Sequence, residues 1–248
     1  MIRFLVALFL LVPTAAAQGF LDPGDYEALA PMLATGPGSG PIVVDTTAVT
    51  MTLSGGTIYE GALSPDGRAV FCFESIDLQG DPGQPGAVAL DVGGLRPFAL
   101  LSQTVFELAV PLRAGGADAV GAAGGIGGPG GGAGGDLGEP GTGFEGTKGL
   151  AGDAGGGGGG FSSGADGGGP NSGDGGLGSS SLLVTEDNLP IAGAGGGGSG
   201  LDSGGGGGGY VELGAACSLL LATATGDLSG GGFVDVSGGD GGPNGGGG

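Results

Sequence analysis

Few residues in this chain could do chemistry. Its 248 residues include 25 Asp and Glu, five Lys and Arg, two Cys and no His. Without His there is no His-based triad, no ordinary general base near neutral pH, and none of the usual zinc, copper or non-haem iron sites. Carboxylates could still cleave sugars, a reaction that needs two of them about 5–9.5 Å apart with divergent pKa values. Here the acids are spread along the chain, with no tight pair in an apolar setting. Two hexapeptides, Gly131–Asp136 (GGAGGD) and Gly197–Asp202 (GGSGLD), open like the calcium-binding nonapeptide repeat. The large apolar residue that the repeat needs at its eighth position is Gly138 in one and Gly204 in the other, so they read as chance matches. No phosphate-binding G-x-x-x-x-G-K-[ST] is present, and the only Lys, Lys148, follows GFEGT. The expectation is therefore no catalytic, cofactor or metal residue. Too few cations exist to track a phosphate backbone, which removes nucleic acid as a partner.

The remaining candidates are Cys72 and Cys217, and their reading depends on compartment. Arg3 forms a positive leader, Phe4–Val12 (FLVALFLLV) an apolar run, and Ala15-Ala16-Ala17 a small-residue cleavage site. That run is too short to span a bilayer, and no later segment approaches about 18 apolar residues. A mature chain starting near Gln18, secreted or held at the cell surface, is expected. In an oxidising compartment Cys72 and Cys217 can pair, closing a loop worth on the order of 4–5 kcal/mol in the chain-entropy model. The alternative is that both are small buried apolar residues.

The elements that must position these residues divide sharply by glycine content. Of 71 Gly, 14 lie in residues 1–113 and 57 after. After the signal peptide (1–17) and a Pro/Gly-rich leader (18–40), residues 41–113 hold short runs rich in Val, Ile, Thr and Phe. These are Pro41–Leu53, Thr57–Leu63, Arg68–Leu78, Ala87–Val92 and Pro97–Leu112, separated by SGG, SPDG, GDPGQPG and GG turn signals. Phe106, Leu108, Val110 and Leu112 alternate with smaller or polar residues, as in a half-buried strand. The only helix-like stretch is Asp25–Leu33, interrupted by Pro31. Residues 209–248 return to β-like runs with a Gly-rich tail, and Ser181–Leu189 is a further β-like run inside the glycine-rich stretch.

Residues 114–208 form a glycine-rich insertion with internal order. Gly recurs every third residue from Gly121, again from Gly132 and again from Gly143, each block starting 11 residues after the last. Period three is that of polyproline II, and Gly at every third position permits close approach between such helices. Pro at 129, 140 and 170 is too sparse for collagen. The spacing predicts polyproline II segments of roughly 30 Å that fold back at each slip; the alternative is disorder, since such a tract buries little surface. The apolar runs flanking it, Arg68–Leu112 and Tyr210–Val236, are expected to share one β core, bringing Cys72 and Cys217 close together.

In two places, Arg96 onward and Tyr210 onward, short strands run into Gly stretches. On that pattern residues 68–248 resemble exported glycine-rich β-helix-type surface proteins of bacteria, and the Gly-x-x tract resembles glycine-rich antifreeze proteins built from polyproline II bundles. The first resemblance implies a mainly β fold: a short β-solenoid-like core with a long glycine-rich insertion. It also implies a structural or adhesive role at the cell surface or matrix, with no catalytic residue carried over. Ice or surface binding through a flat face or through Thr223 and Thr225 is the alternative, and a polysaccharide-acting β-solenoid enzyme a more distant one. Expected partners are cell-envelope components or polysaccharide. The uncapped ending GPNGGGG leaves room for a fragment or for self-association.

Overall fold

The computed structural model describes residues 20–34, 40–79, 88–143, 150–152, 155, 173, 192–221 and 234–248. The signal peptide, Thr223, Thr225, Lys148 and Ser181–Leu189 lie outside them. The described chain is mainly β, with parallel and mixed sheets and a single 3-10 turn at Pro23–Asp25. Its strands are β1 (Met32–Ala34), β2 (Ile42–Asp45), β3 (Thr50–Thr52), β4 (Ile58–Glu60), β5 (Ala62–Leu63), β6 (Ala69–Phe73) and β7 (Ile76–Gln79). They continue with β8 (Leu90–Gly93), β9 (Phe98–Ser102), β10 (Val105–Ala109), β11 (Leu112–Arg113), β12 (Val211–Ala215), β13 (Ser218–Leu221) and β14 (Val234–Asp235).

Three sheets result, ordered β5-β6-β9-β12, β1-β7-β10-β13 and β4-β3-β2-β8-β11-β14. From β6 onward the chain visits the first, second and third sheets in turn, and does so three times. Every pairing between successive circuits is parallel, as in Phe71 beside Leu100 and Leu100 beside Leu213. The apolar runs read from sequence as single strands are therefore divided at corners. Pro97–Leu112 alone supplies β9, β10 and β11, turning at Gln103–Thr104 and Val110–Pro111. The corners are themselves hydrogen-bonded: Gln103 N–H donates to Phe73 O (2.9 Å) and Ala216 N–H to Ser102 O (3.0 Å). Antiparallel β3, β4 and β5 cover the opposite end of the first and third sheets.

Alternate residues of most strands point inward to one core, whereas β5 and β13 are exposed throughout. Phe71, Phe73, Phe98 and Phe106 are fully buried there, each burial worth roughly 1.5–3 kcal/mol. Phe106, Leu108, Val110 and Leu112 all face this core, as their alternation predicts. The outer face of the first sheet is covered too: Val70, Cys72, Ala99 and Leu101 lie beneath Leu21 and Tyr26. So β6 and β9 are buried on both faces. The helix-like stretch Asp25–Leu33 forms no α-helix, in keeping with an all-β reading of the region. Pro31 removes a helical donor, and the segment instead runs beside the end of β6, where Leu29 bridges Phe73, and then along β7, where Met32 pairs with Ile76.

Of the two alternatives for Cys72 and Cys217, the structure has no bridge, and both thiols are free. The two apolar runs do share their sheets, but β9 stands between β6 and β12. Cys72 aligns with Leu101, which aligns with Gly214, three residues short of Cys217. Two strand spacings of about 4.8 Å exceed the roughly 7 Å that a disulfide spans between Cα atoms. Cys72 is buried and Cys217 exposed.

The described glycine-rich segments, within 114–143, 192–209 and 237–248, are neither helix nor strand beyond isolated bridges. They run outward from the sheets and back, turning near Gly121, Gly138, Gly200 and Gly241, with an inner turn at Gly130 beside Pro97 and Gly94. The first outward-and-back segments are shorter than the 11 residues the sequence suggests. Hydrogen bonds recur at intervals of three: Gly125 and Gly128 donate to Gly204 and Gly207, and Gly132 and Gly135 to Gly193 and Gly196. Glycine density follows the number of neighbours. Residues 124–136 are buried at Gly125, Gly128, Gly132 and Gly135 and at Pro129, but exposed at 126, 133 and 136, where Ile, Ala and Asp occur. Residues 194–199 and 203–208 are buried throughout, and are almost entirely Gly. A Cβ on Gly206 would lie 2.2 Å from Ile126 O, and one on Gly134 1.9 Å from Gly204 O.

Candidate functional site

Four described ionisable side chains, Asp66, Arg68, Tyr210 and Glu212, converge at one largely buried place. Arg68 immediately precedes β6, and Ser64–Arg68 is a tight turn in which Arg68 N–H donates to Ser64 Oγ (2.8 Å). Strand alternation puts Arg68 on the outer face of the first sheet with Val70. Glu212 of β12 occupies that same face, separated from Val70 only by the small Ala99. Arg68 therefore reaches across β9 to form an ion pair with Glu212, and forms a second with Asp66, to which Nε also donates (2.8 Å). The Arg68 and Glu212 side chains are only 9% and 1% exposed. The guanidinium lies 5.9 Å from the centre of the Tyr210 ring, and Tyr210 hydroxyl approaches Glu212 Oε2 at 3.5 Å. The backbone N–H of Leu21 donates to Glu212 Oε1, closing the cluster from above.

The electrostatics are those of a fastening. Burial disfavours the charged form of Asp66, but hydrogen bonds from Arg68 and Ser64, with the Arg68 charge, outweigh it and hold the carboxyl below its ordinary value. Burial likewise opposes the Arg68 charge, yet its Asp66 hydrogen bond and the Glu212 and Asp66 charges raise its pKa. Burial, then the Glu212 charge, pushes the Tyr210 phenol up; burial, then the Asp66 charge, does the same for Tyr26. Burial also raises the Cys72 thiol, which disfavours a reactive thiolate. A glycosidase acid needs a carboxyl raised toward neutrality, and Asp66 moves the other way.

The cluster is not visible in the sequence, because Arg68 and Glu212 are 144 positions apart. One signal was legible: a rare cation set directly against the apolar run AVFCF. Arg96 and Arg113 lie elsewhere, Arg113 in an exposed pair with Asp91 at 3.3 Å.

Asp136 and Asp202, the acids of the two calcium-like hexapeptides, both sit at the outer turns of the glycine layer. Asp136 accepts from Gly124 N–H (2.9 Å), and Asp202 from the backbone and side chain of Asn244 (3.1 and 2.7 Å). Each closes a turn. No group of three or more metal-ligating side chains occurs among the described residues. Nor is any helix among them long and apolar enough to cross a membrane. Compared with protein-family models, with curated proteins and with solved structures, the chain matches none.

Proposed function

We propose that the protein is exported and serves as a structural or adhesive component of the cell surface or matrix, without turnover chemistry. In this reading the three-sheet body is a short β-solenoid, each circuit of three strands forming one rung. The glycine-rich layer is a bundle of polyproline II segments inserted between the second and third rungs. The observation that carries the reading is the layer itself. Gly204–Gly208 is buried on every side by other backbone, an arrangement that builds a scaffold and leaves little room for a substrate cleft. The Arg68–Asp66–Glu212 cluster supports it from the other side, since its charges are spent on one another and on the chain.

Export is tested by intact-mass analysis of secreted or surface-released protein, which should begin near Gln18; retention of Met1 would overturn it. Activity is tested against acidic and neutral polysaccharides, with no product expected. Product that disappears on Asp66→Asn or Glu212→Gln, in protein that still folds, would replace this reading with an enzyme.

A further inference from the structure

The outer turns of the glycine layer form one surface. Leu137 N–H donates to Ala122 O (3.3 Å), Gly138 N–H to Ser199 O (2.6 Å) and Ser203 hydroxyl to Gly121 O (3.0 Å). Asn244 is held by Asp202, and Asp240 N–H donates to Asp118 Oδ1 (2.8 Å). Four turns distant in sequence are thus fastened together at the end of the layer opposite the sheets, where Ala114, Tyr210 and Ser237 adjoin β11, β12 and β14.

This surface carries large apolar side chains at positions where the layer has no packing use for them. Val120 and Leu201 are each 78% exposed and Leu137 42%. A single exposed apolar residue is ordinary, but three on mutually bonded turns form a contact surface. Around them stand Asp118, Asp136, Glu139, Asp202 and Asp240, and the described residues of the layer include no Lys or Arg. Among the described residues of the layer there is no aromatic ring to stack on a sugar. A polyanion would be repelled, whereas cationic groups flanking apolar ones would meet opposite charge and a matching apolar contact.

We propose that these joined turns are the adhesive surface of the protein, and that their partner is a cationic, amphipathic peptide segment of another protein. The proposal rests on the adhesive reading above, and names its contact face and ligand class. The turns are set by backbone hydrogen bonds, so the apolar side chains can be exchanged without disturbing the layer.

The test uses the full mature chain and two labelled probe peptides, one alternating Lys and Leu, the other Lys and Ser, followed by fluorescence anisotropy. The Lys–Leu probe is expected to bind, and the pair Val120→Ser with Leu201→Ser to weaken it about tenfold or more. The pair Ile58→Ser with Leu63→Ser, exposed apolar positions on the sheets, should leave binding unchanged. Glu139→Gln with Asp240→Asn should slow association and flatten its salt dependence. Equal binding of the Lys–Ser probe, or equal losses in the sheet and turn variants, would reduce the effect to bulk charge and overturn the proposal. Sedimentation showing a dimer abolished by the turn variants would assign the surface to a second copy and overturn it equally. Circular dichroism melts of every variant identify any that misfold; in that event the milder Val120→Ala with Leu201→Ala pair carries the test. Because purified protein is used, failure here is separable from failure of export or of the non-enzymatic reading.

Discussion

The sheets and the glycine layer belong to one chain but hold together by opposite means. In the sheets, side chains do the packing: Phe71 and Phe98 meet at 6.0 Å, and Tyr59 meets Phe73 edge-on at 5.2 Å. In the layer, backbone packs on backbone. Glycine sacrifices more conformational freedom on ordering than any other residue, and the layer buries almost no apolar side chain to offset that. What remains is a hydrogen bond of net worth about 1 kcal/mol per pair and dispersion from close approach. Each segment makes both only when its neighbours are in place. A side-chain core therefore tolerates some repacking, whereas a backbone-packed layer forms as a whole or fails.

The most damaging change should therefore be the smallest addition in the wrong place. Gly206→Val puts carbon where Ile126 O already lies within 2.2 Å of a Cβ; loss of the layer's cooperative far-ultraviolet melting transition is expected. An unchanged melt would break the contrast. Phe71→Ala, by comparison, leaves a cavity in the side-chain core and should cost about 3–5 kcal/mol by denaturant titration, with the sheets still formed. Breaking one side of the buried ion pair, by Glu212→Gln or Arg68→Met, should cost about 3 kcal/mol. The double replacement Arg68→Met with Glu212→Leu should recover much of that, and non-recovery would point to a role beyond fastening.

A gentler probe is pH. The Asp66 carboxyl is held below its ordinary value of 3.8, so its ion pair contributes fully above that value and is lost as pH falls through the folded-state value. The melting points of the wild type and Asp66→Asn should therefore converge below about pH 4. A gap that stayed constant would contradict the assignment. The smallest effect concerns the thiols: Cys217→Ser, or added reductant, should leave the melting temperature unchanged. A drop on reduction would mean that the sulfurs do pair in solution.

Much of the architecture was legible because periodicity is a local property. Alternation over Phe106–Leu112 identified the inward face, and period-three glycine identified a layer that is neither helix nor sheet. Two things stayed hidden. Corners are not marked by glycine or proline alone: the chain turns at Gln103–Thr104, whose backbone groups bond to neighbouring circuits, so one apolar run concealed three strands. The pairing of distant positions was also unreadable. Arg68 meets Glu212 while Cys72 misses Cys217, and both outcomes depend on which strand lies between, Ala99 admitting a long side chain and β9 as a whole excluding a short bridge. The four outer turns were likewise scattered in sequence until the layer joined them.

The spareness of the layer has a further consequence, for digestion. Many digestive enzymes choose their cutting point by seating a basic or aromatic side chain in a pocket. The described residues of the layer, within 114–143, 192–209 and 237–248, include no Lys, Arg, Phe, Tyr or Trp. When one of those segments breathes open, a trypsin-like protease finds no basic side chain on it, and a chymotrypsin-like one finds only Leu137 and Leu201 at the outer turns. In those described segments durability is written twice, once in the fold and once in the scarcity of side chains to grip.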